Sequence, residues 1–357
     1  LDKKLLLEDG TEFYGQAFGN LDDAYGEVVF TTAMSGYQEL LTDPSLLGQI
    51  LVMTYPMIGN YGVNRDDYEA MKPYLSAFIV KEYARDPSNF RMKVNLETYL
   101  KKMKVPGLFG IDTRKLTRHI REKGAIRGCI IPSAVPTEVG LEQMRSYDFF
   151  TNHMERASTT STYVMPSSGK RVVLMDFGMK GSILKELNRS GFHVTVVPYD
   201  TDAETILGMN PDGVLLSNGP GDPADGQKPI ETIRSLLGKT PIFGICMGHQ
   251  LLALACGART KKMKFGHRGG NNPVRQMETG KILITSQNHG YEVDEDSLAG
   301  TDLEVTYVCV NDGSVEGLRH KREKAFSVQF HPESSPGPSD ARIIFQEFAM
   351  LMETGRD

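Results

Sequence analysis

The chain has 357 residues, 40% hydrophobic and 24% charged, an ordinary globular composition with room for two domains. Its 45 acidic and 40 basic residues leave a net charge of −5, which argues against a general nucleic-acid binder. No apolar run is long enough to cross a bilayer and no signal-peptide pattern opens the sequence, so a cytoplasmic protein without membrane association is expected.

Cys129, Cys246, Cys256 and Cys309 stand far apart without C-x-x-C spacing, so neither a disulfide framework nor a metal site is expected. Cys129, Cys256 and Cys309 read as small buried hydrophobes.

Residues 3–19 read as a β-hairpin turning at Asp9-Gly10. A strand begins at Glu27 and another at Ile50, and the stretch 35–45 between them, dense in Gly, Pro and small polar residues, reads as a loop. Residues 74–80 suit a buried strand, and 96–103 a short helix capped by Asn95. A further helix runs from its cap at Asp112 to its stop at Gly124. Leu116 and Ile120 form its apolar side. Arg114, Lys115, Arg118 and Arg121 make the remainder basic, either a solvated face or a docking surface for an acidic partner. The Ser/Thr-rich segment at 151–170 reads as an interdomain connection.

Beyond Lys170 the pattern changes. Short Val/Leu/Ile runs at 171–177, 192–198, 213–217 and 241–245 alternate with helices at 182–189, 201–207 and 229–237. That alternation predicts a parallel, doubly wound α/β sheet. Ligands on such sheets bind at the carboxyl ends of the strands, where Gly178, the loop from Asn218 to Pro223 and Cys246 all fall. Strands at 281–286, 303–310 and 325–330 follow with little helix between them, so an antiparallel flank makes the sheet mixed. A helix near 339–352 ends the pattern, with Ile344, Phe345, Phe348 and Leu351 as its apolar side.

The chemistry centres on Gly244-Ile-Cys246-Met-Gly248, a thiol version of the G-x-S-x-G nucleophile elbow. An elbow is a sharp strand-to-helix turn, and its glycines let neighbouring backbone pass close to a strained residue. Cys246 then stands at a helix N-terminus, where the dipole favours negative charge. A thiol nucleophile needs a base, and the base needs an orienting group. His193 sits in a strand and reads as packed, His267 and His320 lie in polar stretches, and His249 on the elbow helix reads as turned from the thiol. His331 directly follows an apolar strand, is held by Pro332, and has Glu333 two residues on. Cys246, His331 and Glu333 are therefore the candidate catalytic set.

Gly-Ile-Cys246-Met-Gly-His-Gln, Ser217-Asn-Gly-Pro-Gly-Asp-Pro and His331-Pro-Glu, in their spacing, resemble the class I, triad-type glutamine amidotransferase domain. Gly36-Tyr-Gln-Glu-Leu-Leu-Thr-Asp-Pro-Ser45, Thr54-Tyr-Pro-Met-Ile-Gly-Asn-Tyr-Gly62 and Gly110-Ile-Asp-Thr-Arg-Lys-Leu-Thr117 resemble the N-terminal domain of carbamoyl phosphate synthetase small subunits. The resemblance implies an α+β domain over 1–150 that docks a partner and an amidotransferase domain over 171–357. It implies hydrolysis of L-glutamine to glutamate and ammonia through a glutamyl thioester, with ammonia channelled to a large subunit in a heterodimer. It assigns Cys246 as nucleophile, His331 as base and Glu333 as its orienting group. The resemblance further implies that the backbone amides of Met247 and of Gly219 or Gly221 form the oxyanion hole, and that Ser45, Gln250, Asn288, Gly290 and Tyr291 grip glutamine. Met247 stands where the family often has Leu, and Tyr291 where it often has Phe. The sequence carries no Walker A motif, which places ATP chemistry elsewhere, and the resemblance implies that ATP, magnesium and bicarbonate are used by the large subunit, with no cofactor expected in this chain. The same elbow could also serve another synthase, or a hydrolase of γ-glutamyl or peptide bonds.

Overall fold

In the computed structural model, which describes residues 1–353, the Asp9-Gly10 turn joins β1 (Asp2–Leu7) to β2 (Glu12–Gly19) as an antiparallel hairpin. The hairpin belongs to a first unit, Leu1–Phe150 together with Lys264–Arg268. Its other strands are β3 (Ala24–Thr31), β4 (Gln49–Met53), β5 (Met57–Ile58), β6 (Ala77–Ile79), β7 (Glu82–Tyr83), β8 (Pro106–Phe109) and β9 (Ile126–Pro132). All but β5 and β7, which form a two-stranded ribbon, close into a barrel in the order β1-β2-β8-β6-β4-β3-β9. Its β3-β4, β4-β6 and β6-β8 pairs are parallel. Closure leaves no free strand edge.

Both faces of the barrel wall are apolar. Val28, Phe30, Ile50 and Val52 join one cluster, which includes Leu116 and Ile120 of α3 (Thr113–Lys123), as the sequence expects. The alternate residues Val29, Leu51 and Met53 join another with α1 (Tyr37–Leu41) and α2 (Leu96–Lys102). That is the two-residue period of a strand buried on both sides. Asn95 caps α2 by accepting from the Thr98 amide at 2.9 Å. The stretch 35–45 is not a plain loop, since it contains α1 and a 3-10 turn at Pro44–Leu46. Burial of Tyr37, Leu40 and Leu41 holds this five-residue helix, which propensity alone would not support. The unit also contains α4 (Thr137–Ser146).

The second unit covers Thr151–Met263 and resumes at Gly269. The segment 151–170 is more structured than a connection: it holds α5 (His153–Ala157) and β10 (Tyr163–Met165), which pairs antiparallel with β12. The alternating elements then follow as β11 (Arg171–Asp176), α6 (Gly181–Arg189), β12 (His193–Pro198), α7 (Ala203–Gly208), β13 (Gly213–Leu216), α8 (Gln227–Leu236), β14 (Ile242–Ile245) and α9 (Met247–Ala255). The remaining strands are β15 (Thr260–Gln276), β16 (Ile282–Val293), β17 (Leu303–Cys309), β18 (Val315–His320) and β19 (Ala325–Val328), before α10 (Ile343–Glu353). They make a ten-stranded mixed sheet, β10-β12-β11-β13-β14-β19-β18-β17-β15-β16. Its centre from β12 to β19 is parallel, and β19-β18-β17 is the expected antiparallel flank.

Phe345 and Phe348 of α10 pack on Phe243 at ring distances of 6.0 and 5.5 Å, with α6 in the same cluster. Ile233 of α8 and Leu251 of α9 belong to the cluster on the other face, so helices cover both sides as the doubly wound pattern predicts. Residues 354–357, the end of the expected second domain, lie outside the described residues.

Candidate active site

β14 is buried at all four residues and runs straight into Cys246, the residue before α9. Cys246 has φ +53° and ψ −100°, a conformation that costs an L-residue about 1–3 kcal/mol and persists only where its surroundings impose it. Here they do. The Cys246 amide donates to Val328 O at 2.9 Å, and the Gly248 amide to Ser217 O at 2.9 Å. A Cβ on Gly244 would lie 2.6 Å from Gly248 O, and one on Gly248 2.3 Å from Leu216 O, so both flanking glycines are needed for close approach. The first-turn amides of α9, including Met247 N–H, have no intrahelical acceptor and point to the helix N-terminus beside Cys246.

His331 follows β19 and is fixed by its own amide, which donates to Ser286 O at 2.8 Å. The ring is buried, and Nδ1 meets Glu333 Oε1 at 2.6 Å, so Nδ1 carries the proton in that bond. Glu333 Oε1 also accepts from Lys180 Nζ at 2.9 Å, and both side chains are almost wholly buried. Nε2 of His331 has no hydrogen-bond partner among the described residues, and the Cys246 thiol is one of the groups that favour a proton on the ring. The Cys246 Sγ also lies 3.9 Å from Asn288 O.

The electrostatics follow from this arrangement. Burial by itself disfavours the charged imidazolium, but the Glu333 carboxylate outweighs it and raises the His331 pKa. Burial pushes Glu333 the other way, toward neutrality, and first Lys180 and then His331 overcome it and keep the carboxylate ionised. The His331 imidazole is therefore held by an ionised carboxylate that stabilises the imidazolium formed whenever Nε2 takes up a proton. His249 plays no such part. It is fully buried on α9, its Nδ1 meets Ser327 Oγ at 2.9 Å, and desolvation lowers its pKa to about 3. The other cysteines are unsuited to nucleophilic work, since burial raises Cys129 to about 12 and Cys256 and Cys309 to about 11.

The remaining sequence candidates occupy several elements. Gly219 and Gly221 lie in the loop after β13. A Cβ on Gly219 would meet Phe177 O at 2.4 Å, and Gly221 has φ +91°. Asn288, Gly290 and Tyr291 lie on β16, a longer strand than the one read at 281–286. Gln250 donates from Nε2 to Tyr291 O at 2.7 Å and to Gln329 Oε1 at 2.9 Å, so its side chain fastens β16 to α9. Ser45 belongs to the first unit, in the turn Pro44–Leu46, where its amide donates to Asp43 Oδ1 at 2.9 Å.

The family profile of class-I glutamine amidotransferases matches residues 173–351. That of the carbamoyl-phosphate synthase small chain, CPSase domain, matches residues 5–130. A carbamoyl phosphate synthase small chain of Bacillus caldolyticus is 56% identical, over 99% of this chain and 97% of its own length. The chain belongs to the carbamoyl-phosphate synthase small chain family. Pyrimidine-specific small chains of Halalkalibacterium halodurans and Bacillus subtilis are 54% and 52% identical, covering 100% and 99% of this chain and 98% and 97% of their own. Among the described residues, no helix is long and apolar enough to cross a membrane.

Sequence reasoning missed Lys180. It placed Gly178 at a strand's carboxyl end, where ligands bind, but read no role into the lysine two residues on. The loop is held by Asn218, which accepts from the Lys180 amide at 2.9 Å and donates to Gly178 O at 3.0 Å. A lysine between glycines at the carboxyl end of a parallel strand was the available signal. A second missed group supports β16. Gln287 Nε2 donates to the fully buried Glu316 at 3.0 Å, and Gln287 Oε1 meets His289 Nε2 at 3.1 Å. Nothing in the one-dimensional pattern links these three residues.

Proposed function

We propose that this chain is the glutamine-hydrolysing subunit of a carbamoyl phosphate synthase and that Cys246, His331 and Glu333 carry the reaction. The observation that supports it best is a strained cysteine at the start of α9 beside an imidazole held by a buried carboxylate. Cys246 Sγ gives its proton to His331 and attacks the carboxamide carbon of glutamine. The negative charge gathers on the former carbonyl oxygen. The amides of Met247 and of Gly219 or Gly221 receive it, and losing one such donor typically costs ~3 kcal/mol. The C–N bond breaks as His331 returns the proton to nitrogen, leaving ammonia and a glutamyl thioester. Water then loses a proton to His331 and attacks the thioester, and glutamate departs with the thiol restored. Glu333 keeps Nδ1 protonated throughout, so Nε2 is the nitrogen that exchanges the proton.

Gln250, Asn288, Gly290, Tyr291 and Ser45 are the proposed glutamine contacts, with Ser45→Ala raising KM for glutamine. The ammonia passes to a separate large chain that uses ATP, magnesium and bicarbonate. The test is glutamine-dependent carbamoyl phosphate synthesis after mixing with the large chain, alongside glutaminase assays with glutamine and with γ-glutamyl peptides. Preference for γ-glutamyl peptides, or no synthesis from glutamine, would overturn the reading.

A further inference from the structure

The glutaminase chemistry leaves one feature of the first unit unused. β4, β6 and β8 run parallel, and the residues beyond their carboxyl ends, Thr54, Lys81 and Gly110, line one side of a cleft of ≈ 930 Å³. The other side is α3, which contributes Arg114, Thr117, Arg118 and Arg121. These positions are three, four and seven residues apart, so they form one stripe of the helix. Lys81, Arg114, Arg118 and Arg121 are all exposed. Arg121 spends part of its surface over the Phe265 ring at 6.0 Å, and none of the four has a carboxylate partner among the described residues.

Four unpaired cations around one concavity are not a by-product of composition, because the chain carries a net charge of −5. They repel each other and focus a positive potential in the cleft, which an anionic occupant relieves. The α3 N-terminus would be the natural seat for a single phosphate, but Asp112 already fills it, accepting from the Lys115 amide at 2.9 Å. A phosphate there would face that carboxylate. Spread-out carboxylates, each meeting an arginine fork, suit the stripe better. Tyr55 and Met57, both 38% exposed, flank the lining residues Thr54 and Pro56. Arginine, tyrosine and methionine are the residue types that protein interfaces collect.

We propose that this cleft seats an acidic segment of the large-chain partner, with Arg114 and Arg118 as its main anchors. The inference rests on the small-chain reading above and adds the surface and the chemistry of the contact.

The test compares the unaltered full chain with R114E/R118E, and with R114Q/R118Q in case charge reversal disturbs folding. Affinity for the large chain is measured by calorimetry at low and high salt, with thermal unfolding and glutaminase activity of each chain alone. The expected result is at least about tenfold weaker association at low salt and a shallower salt dependence, with the chain's own glutaminase activity and unfolding temperature unchanged. Glutamine-dependent synthesis by the mixture falls, while ammonia-dependent synthesis does not. Unchanged affinity in both variants overturns the inference and leaves the glutaminase reading intact. Inorganic phosphate binding tightly to the unaltered chain but not to R114Q/R118Q, with partner affinity unaffected, overturns it in favour of a phosphate site. Failure of the unaltered chain to bind the large chain refutes the small-chain reading and this inference with it.

Discussion

Lys180→Leu isolates the electrostatic support of the proposed catalytic base, His331. The substitution keeps most of the apolar stem and deletes the ammonium, which lies 2.9 Å from Glu333 Oε1 with both side chains nearly solvent-free. Breaking a buried ion pair by removing one partner costs roughly 3–5 kcal/mol, because the remaining charge stays desolvated. For a unit of this size that lowers the unfolding temperature by roughly 10 °C. Lys180 is the foremost influence holding the Glu333 pKa down against burial, so without it that pKa rises. The sign is fixed. A carboxylate with a depressed folded pKa contributes stability above its unfolded pKa and loses it as pH falls through the folded one. Raising the folded value reduces that contribution and moves its loss to higher pH. The acid limb of kcat/KM for glutamine therefore shifts upward in pH. Adding Glu333→Gln to Lys180→Leu removes the stranded charge, so the double variant recovers stability over Lys180→Leu while remaining slow. Urea unfolding and a pH–rate series on the single and double variants read both effects. Lys180→Leu with unaltered stability and an unmoved acid limb would falsify this account of the base.

Cys246→Ser keeps the elbow geometry but removes the thiol, and glutamine hydrolysis falls at least about 10³-fold with the fold retained by circular dichroism. Wild-type turnover in that variant would sink the thioester mechanism. Gly248→Ala pushes a methyl to 2.3 Å from Leu216 O, and a strained, closely packed site of this kind loses about 1–3 kcal/mol, seen as a lower unfolding midpoint together with weaker activity. His249 is buried neutral, its pKa lowered to about 3, so the unfolded chain takes up a proton that the folded chain refuses. Stability from this site is present above the unfolded value near ~6.5 and drains away as pH falls toward the folded one. His249→Gln should flatten the acid side of the unfolding-temperature profile, and an unchanged slope would show that another group controls it.

The elbow was legible because its demands are local: glycines at 244 and 248, a cysteine between, an apolar strand before and an apolar helix after. The His331–Glu333 pair was legible for the same reason, the two groups lying two residues apart just beyond one apolar strand. The helix at 113–123 and the cap at Asn95 were equally plain. By contrast, α1 was read as loop, β15 was not read, and β16 was read too short. α1 has only five residues and is held by burial against distant residues, while β15 is polar and glycine-rich and alternates too weakly to show as a strand.

Taken by itself, the sequence determined the βα alternation, the strained elbow at Cys246 and the pairing of an imidazole with a carboxylate, since strand period, backbone crowding and short spacing all act along the chain. Barrel closure came only with the tertiary structure, because edges pair over more than a hundred residues, as β1 does with β9. So did the Lys180–Glu333 ion pair, whose partners stand 153 positions apart. A buried charge needs its counter-charge in space rather than in sequence, and only the folded sheet brings the ends of β11 and β19 to the same place.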